Sequence, residues 1–368
     1  MQKIAIIGTT SWGITLSTLL CTKGLEVRLW ARTQREATKI RKKGTDRFPD
    51  ITIPKNINIT SQMDEAMDNV AAVLLPVPSS TMRQNISAVA SHLTKSTIII
   101  SASKGLEIGS NKRMSEVIGE EINPRFHGNI CVLSGPQLAR EIIHDRPAAS
   151  VVAAADKNTA NKAQKLLSCP RFCVFTNTDV VGVELGGALK NILALGAGIA
   201  DGLGFGDNAK AAYMTRGLTE ITALGMAMGA NPLTFSGLAG LGDVITTCAS
   251  PLSRNHYVGV ELAKGRPLAD ILDSMREIAE GVNTTLVAHN MAQQLGLEMP
   301  ITEKIYQILF EHADPAKSAL ELMGGNVRHE LAGRRWRLFS LFRHHQRTNG
   351  ANGSNGIKKT TGKNAAKH

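Results

Sequence analysis

The chain has 368 residues, 43% hydrophobic and 20% charged, which excludes a disordered protein and supplies enough apolar material for two ordinary domains. Of 42 Lys and Arg against 31 Asp and Glu, nine basic residues and no acidic one fall in 334–368, so removing that tail leaves 33 against 31. The net charge of +11 therefore belongs to the tail, and a near-neutral body with only nine Phe, three Tyr and three Trp excludes a basic, aromatic nucleic-acid platform.

The first residues, MQKIAIIGTT, lack a signal peptide's charged start and long apolar stretch. No later apolar run is expected to span a bilayer, so a soluble, cytoplasmic protein is anticipated. Short β-branched runs at Lys3–Ile7, Glu26–Trp30, Ala71–Leu75, Thr97–Ser101, Asn129–Leu133, Ser150–Ala153 and Arg171–Phe175 alternate with helical stretches. Several are continuously apolar, as strands buried on both faces of a parallel sheet are. The alternation predicts an α/β fold, with a Rossmann-like, doubly wound dinucleotide-binding domain over 1–178.

Gly8 and Gly13 occupy the outer positions of a strand–GxGxxG–helix turn, where free N–H groups and the helix dipole receive a pyrophosphate. Thr10 stands where the middle glycine is usual. After the second strand, Arg32 occupies the region where an NAD-selective site places an acidic residue. It suits a 2′-phosphate, and equally reads as a solvated surface arginine. Lys104 follows the apolar strand TIIIS, at the sheet edge where open α/β folds bind ligands. The five cysteines (21, 131, 169, 173, 248) have no paired CxxC spacing, so neither a disulfide framework nor a metal site is expected.

From Asp179 the strand runs stop, and a helical substrate and catalytic domain is predicted over 179–333. Val181–Ala200 carries only Glu184 and Lys190 as charges, so this helix should be buried all round. A desolvated lysine can be tuned to exchange protons near neutral pH, which makes Lys190 the candidate acid/base. Asp243 ends the run GLAGLGD, too glycine-rich for a plain helix and suggestive of geometry held for function. Ser253, Arg254 and Asn255 offer a hydroxyl, a guanidinium and an amide in a row, a set that suits a phosphate and equally a helix cap. Residues 334–368 form a basic, partly disordered tail. Trp336, Phe339 and Phe342 at helical spacing point first to packing against the body and second to weak contact with an anionic membrane surface.

The ordered set of motifs resembles the bacterial NAD(P)-dependent glycerol-3-phosphate dehydrogenase family. It comprises GxxSWG at 8–13, VPSS at 77–80, SKGLE at 103–107, SGPxxAxE at 134–141, ELGGALKN at 184–191, DGLGFGDNAKAA at 201–212, TRGLTE at 215–220, GLAGLGD at 237–243, TCxSxxSRN at 247–255, EG at 280–281 and MPI at 299–301. The resemblance implies interconversion of dihydroxyacetone phosphate and sn-glycerol 3-phosphate with NADP or NAD, feeding phospholipid synthesis. It implies Lys190, Lys104 and Asp243 as catalytic groups. Gly8, Ser11, Trp12, Gly13, Arg32, Lys104, Ala139, Arg254, Ile278 and Glu280 would line the coenzyme site. Lys104, Gly135, Gln137, Lys190, Asp243, Ser253, Arg254 and Asn255 would hold the small phosphorylated substrate. Gln137-Leu138 departs from the hydroxyl and aromatic residues usual after SGP. A homodimer is expected from base rates, and nucleic acid is not an expected partner. Two competing readings are a 3-hydroxy-acid-type dehydrogenase of similar two-domain plan and a catalytically inactive dinucleotide sensor.

Overall fold

Among the described residues, eight strands form one sheet in the order β3-β2-β1-β4-β5-β6-β7-β8. They are β1 Lys3–Ile7, β2 Glu26–Trp30, β3 Asn58–Thr60, β4 Ala72–Leu75, β5 Ile98–Ser101, β6 Ile130–Ser134, β7 Ala148–Ala154 and β8 Phe172–Asn177. The computed structural model describes residues 2–324. The tail read at 334–368 therefore lies outside the described residues.

All seven strands read from the sequence are present. The eighth, β3, is three residues long and too short to leave a periodic signal. A second difference is one of direction. Every strand pair is parallel except β6–β7, which is antiparallel. After β6 the chain makes only the short helix Ala139–Ile143 and reverses at Asp145, which sits at φ 66. It thus returns along its own strand, with no long helix to carry it across the sheet.

Alternate strand residues feed two cores. Ile4, Ile6, Leu29, Leu74 and Ile100 pack with Leu16 and Leu20 of helix Ser11–Thr22 on one face. Ala5, Ile7, Val73, Leu75 and Ile99 pack with Met82 and Ile86 of helix Met82–Ala90 on the other. Burial on both faces explains why these strands read as unbroken apolar runs.

Beyond Asn177 the described residues form helices and their connections, with no further strand. The organising element is helix Val180–Gly202, buried from Val183 to Ala200 except at Glu184. It is long and apolar enough to cross a membrane, which corrects the expectation that no such run exists. In the structure 89% of its apolar window is buried inside the protein, as the core of the helical half. Helix Arg254–Ala263 packs on it with backbones in direct contact. A Cβ at Gly198 would sit 2.1 Å from the His256 carbonyl oxygen, and one at Gly259 would sit 2.0 Å from that of Leu195. Two glycines facing each other set this spacing, and no side chain fits between.

Gly198→Ala or Gly259→Ala should therefore destabilise the protein by roughly 1–3 kcal/mol or more, the cost of overpacking a filled interface. Thermal or urea unfolding reads the loss. An unchanged midpoint would mean that the two helices separate freely and do not fix the site described next.

Candidate active site

Three elements bring three charges together. Lys104 leaves the C-terminal edge of the sheet just after β5. Lys190 lies midway along helix Val180–Gly202. Asp243 starts helix Asp243–Ala249, after the widened turn Leu238–Gly242. That turn lies against the central helix at Gly186, where a Cβ would meet the Ala239 carbonyl oxygen at 2.5 Å. The glycine-rich run thus serves close approach, and it delivers Asp243 to the lysines.

Asp243 is 1% exposed and each of its oxygens accepts from one ammonium. Lys190 Nζ donates to Oδ1 at 2.8 Å and Lys104 Nζ to Oδ2 at 2.6 Å. Lys190 also donates to Thr247 Oγ1 at 2.6 Å, and Lys104 to the Gly135 carbonyl at 2.6 Å. Thr247 in turn donates to the Asp243 carbonyl at 2.7 Å, one helical turn back. Two cations and one anion leave the buried cluster with one positive charge, an arrangement suited to negative charge developing on a substrate oxygen. Burial brings the Lys104 ammonium down to about 8. The carboxylate of Asp243 opposes this shift and the neighbouring Lys190 adds to it.

A relay of amides braces the cluster. Asn191 Nδ2 donates to the Lys104 carbonyl at 3.0 Å, Asn255 Nδ2 to Asn191 Oδ1 at 2.8 Å, and the Gly281 N–H to Asn255 Oδ1 at 2.9 Å. Asn255, expected to hold substrate, thus spends its carbonyl and one N–H on positioning. Ser253 caps helix Arg254–Ala263, accepting from the His256 N–H at 3.2 Å. Arg254 is half exposed, donates to the Ile278 carbonyl at 3.1 Å and pairs with Glu277 at 3.3 Å. Ile278 is largely exposed. Glu280 accepts from the Ser79 N–H at 2.9 Å and the Ser79 hydroxyl at 2.5 Å. Burial raises its carboxyl above the usual range, against those two bonds.

The turn after β1 has the features of a phosphate cradle. Gly8 adopts φ 106, and a Cβ at Gly13 would lie 2.2 Å from the Gly8 carbonyl oxygen, so strand and helix meet only through glycine. Thr10 fits in place of the middle glycine. It caps helix Ser11–Thr22 by accepting from the Gly13 N–H at 3.0 Å, and its hydroxyl donates to the Pro76 carbonyl at 2.6 Å. The N–H groups of Ser11 and Trp12 make no hydrogen bond among the described residues, and so they fit a coenzyme phosphate. The Trp12 ring packs edge-on against Phe172 at 6.2 Å, so its backbone is the part available. Arg32 is exposed and makes no ion pair among the described residues. Ala139 accepts from Thr15 Oγ1 at 3.3 Å, beside the same helix. Gln137 turns to Ser150, donating at 3.0 Å, and makes no hydrogen bond to Lys104, Lys190 or Asp243.

Thr247, Asn191 and Ser79 lie within motifs of the sequence but carried no role of their own, and Glu277 and Arg47 lie outside every motif. Thr247 had a signal, its i+4 spacing from Asp243, and Asn191 adjoins Lys190. Glu277 and Arg47 lie in connecting segments with no periodicity.

Known proteins give a consistent picture. Residues 3–160 match the family described as NAD-dependent glycerol-3-phosphate dehydrogenase N-terminus, and residues 179–320 match its C-terminus. A relative from Dehalococcoides mccartyi (strain ATCC BAA-2266 / KCTC 15142 / 195), named glycerol-3-phosphate dehydrogenase [NAD(P)+], is 58% identical over 346 residues, covering 93% of this chain and 96% of its own. One of that name from Enterococcus faecalis is 48% identical over 327 residues, covering 88% and 95%. A crystal structure of glycerol-3-phosphate dehydrogenase from Coxiella burnetii superposes with a TM-score of 0.82 at 34% identity, covering 88% of this chain and 98% of that one.

Asp243→Asn would leave two buried ammonium groups without their shared carboxylate. The expected loss is roughly 3–5 kcal/mol of stability near neutral pH, typical of a broken buried pair. The sign with pH follows from Lys104, whose folded value of about 8 lies below its ordinary 10.5. Between those values the unfolded chain binds more protons, so stability rises with pH. Without the opposing carboxylate the variant's Lys104 loses its proton at a still lower pH, so the deficit should shrink as pH rises toward about 8 and level off above it, where Lys104 is neutral in both folded proteins. Urea unfolding at a series of pH values measures it, and a deficit independent of pH would contradict the pairing.

Proposed function

The chain belongs to the NAD-dependent glycerol-3-phosphate dehydrogenase family, and from that premise we propose how its residues interconvert dihydroxyacetone phosphate and sn-glycerol 3-phosphate. It is an NAD(P)-dependent oxidoreductase. The observation that carries the assignment of roles is the buried Lys104–Asp243–Lys190 cluster. It lies at the C-terminal edge of the parallel strands, the same edge as the Gly8–Gly13 turn.

When bound, the nicotinamide supplies the hydride in one direction and accepts it in the other. Reduction places negative charge on the substrate's carbonyl oxygen. Lys190 Nζ donates a proton to that oxygen as the charge grows, and takes one back in the oxidative direction. Asp243 and Thr247 hold the ammonium by two hydrogen bonds, so its third proton is directed to substrate. Lys104 stabilises the same oxygen electrostatically from the other side of Asp243. Arg254 and Ser253, with the remaining N–H of Asn255, bind the phosphate away from the reacting carbon and supply binding energy. Gly135 contributes by fixing Lys104. Gln137 belongs to the substrate side through the loop it shares with Gly135.

Ser11 and Trp12 N–H groups, Gly8 and Gly13 hold the coenzyme phosphates, with Ala139, Ile278 and Glu280 along the groove. Exposed Arg32, with no acidic neighbour in its place, supports use of NADPH at least as well as NADH. A division at 178/179 into coenzyme and catalytic parts follows the end of β8 at Asn177 and the helix start at Val180. A homodimer, on the frequency of two-fold enzymes, and a cytoplasmic location complete the proposal. A hydroxy-acid substrate would leave Arg254 and Ser253 without a phosphate to bind. An inactive sensor would have no use for a complete lysine–aspartate cluster.

Purified protein should oxidise either reduced coenzyme with dihydroxyacetone phosphate and hardly at all with dihydroxyacetone. Lys190→Ala should lower kcat by at least ~10²-fold while coenzyme affinity stays within a few-fold, because a general acid acts on the transition state. Turnover of the variant close to wild type would assign the proton to another group. Equal activity with the unphosphorylated ketone would remove the phosphate subsite.

A further inference from the structure

Glu277 lies in the short connection between helices Leu268–Ser274 and Glu280–Leu295. Its carboxylate faces the Gly8–Gly13 turn of the sheet half. Oε1 accepts from the hydroxyl of Ser11, the first residue of helix Ser11–Thr22, and from Arg47 Nη1. Oε2 pairs with Arg254 at 3.3 Å. Arg47 is itself seated on the turn, since its Nε donates to the Thr9 carbonyl at 2.8 Å. A carboxylate of this chain therefore sits among the donors at a helix N-terminus beside the N–H groups of Ser11 and Trp12, which make no hydrogen bond among the described residues. This is the set of donors that would receive a coenzyme phosphate.

We propose that Glu277 is an internal stand-in for the coenzyme pyrophosphate, displaced when the coenzyme binds, and that Arg47 then passes from Glu277 to the phosphates. The inference rests on the reading of this turn as the dinucleotide site. Charge makes the exchange necessary. A pyrophosphate brings two negative charges to the donors that Glu277 already occupies, and three anionic groups cannot share two guanidiniums without strong repulsion. Position makes it feasible. Glu277 is one-fifth exposed, and its neighbour Ile278 is 44% exposed, so the carboxylate can turn out to solvent by rotation within the connection. Arg47 loses nothing in the exchange, because one anion replaces another while its bond to Thr9 persists. Arg254 is released at the same moment from Glu277, so coenzyme arrival frees the arginine assigned to the substrate phosphate.

The test is direct titration of NADH and of NADPH by nicotinamide fluorescence, on full-length wild type, Glu277→Gln, Glu277→Ala, Arg47→Ala and the Arg47→Ala/Glu277→Gln double variant. Circular dichroism and the unfolding midpoint report whether each is folded. Both Glu277 variants should bind both coenzymes about two- to fivefold more tightly, the scale of one partly exposed ion pair no longer broken on binding. Arg47→Ala should weaken both by a similar factor, and in that background the gain from Glu277→Gln should shrink. Unchanged or weaker binding by the folded Glu277 variants would overturn the proposal, for then the carboxylate stays in place and contacts the coenzyme or braces the halves. Failure of the wild type to bind either coenzyme would instead overturn the dinucleotide reading beneath it.

Discussion

Two ammonium groups share one carboxylate in the interior of this protein, and most of its architecture serves to make that tolerable. A buried charge is costly unless paired, and here pairing is incomplete by design, two against one. Each oxygen of Asp243 is committed to one lysine, with Thr247 and the Gly135 carbonyl accepting further ammonium protons. In the proposed mechanism that surplus positive charge meets the ketone oxygen as it becomes an alkoxide, which would make the site complementary to the transition state more than to the resting substrate.

Holding such a cluster requires backbones closer than side chains allow. Gly186 admits the turn that carries Asp243, and Gly198 and Gly259 bring helix Arg254–Ala263 onto the central helix. The amide chain from Gly281 through Asn255 and Asn191 to Lys104 then links four segments to the site. Glu184 ties the same helix to the sheet half by accepting from Arg113 at 2.7 Å and the Ser115 N–H at 2.7 Å. Buried polar groups thus set the register between the halves, while apolar packing supplies the bulk of the stability.

Much of this was legible in the sequence because it depends on composition at single positions. Lys190 stood out as a lone cation in an apolar helix, and Asp243 as an acid in a run too rich in glycine to be ordinary. Both report a local anomaly, and the fold brings both into one buried cluster. What was not legible depends on three-dimensional direction. The antiparallel sense of β7 leaves no mark on its apolar pattern, and β3 is too brief to have one. Thr10 looked like a defect in the glycine-rich turn, yet its hydroxyl caps the helix and binds Pro76. Arg47 and Glu277 are 230 residues apart in the chain, and nothing in either segment announces their meeting. Asn255 reads in the sequence as a substrate contact, and its bracing of Asn191 appears only once the helices are packed.

The most direct measurement of the central claim is the titration of the lysine side chains themselves, by ¹³Cε NMR of lysine-labelled full-length protein with Lys104 assigned by substitution to Arg. The shared-carboxylate account predicts that one resonance, Lys104, titrates near 8 and well apart from the surface lysines. It also predicts that this midpoint falls when Asp243→Asn removes the opposing charge. Titration of Lys104 together with the surface lysines near ~10.4 would contradict it, for the group would then be hydrated and no buried charge would shape the site.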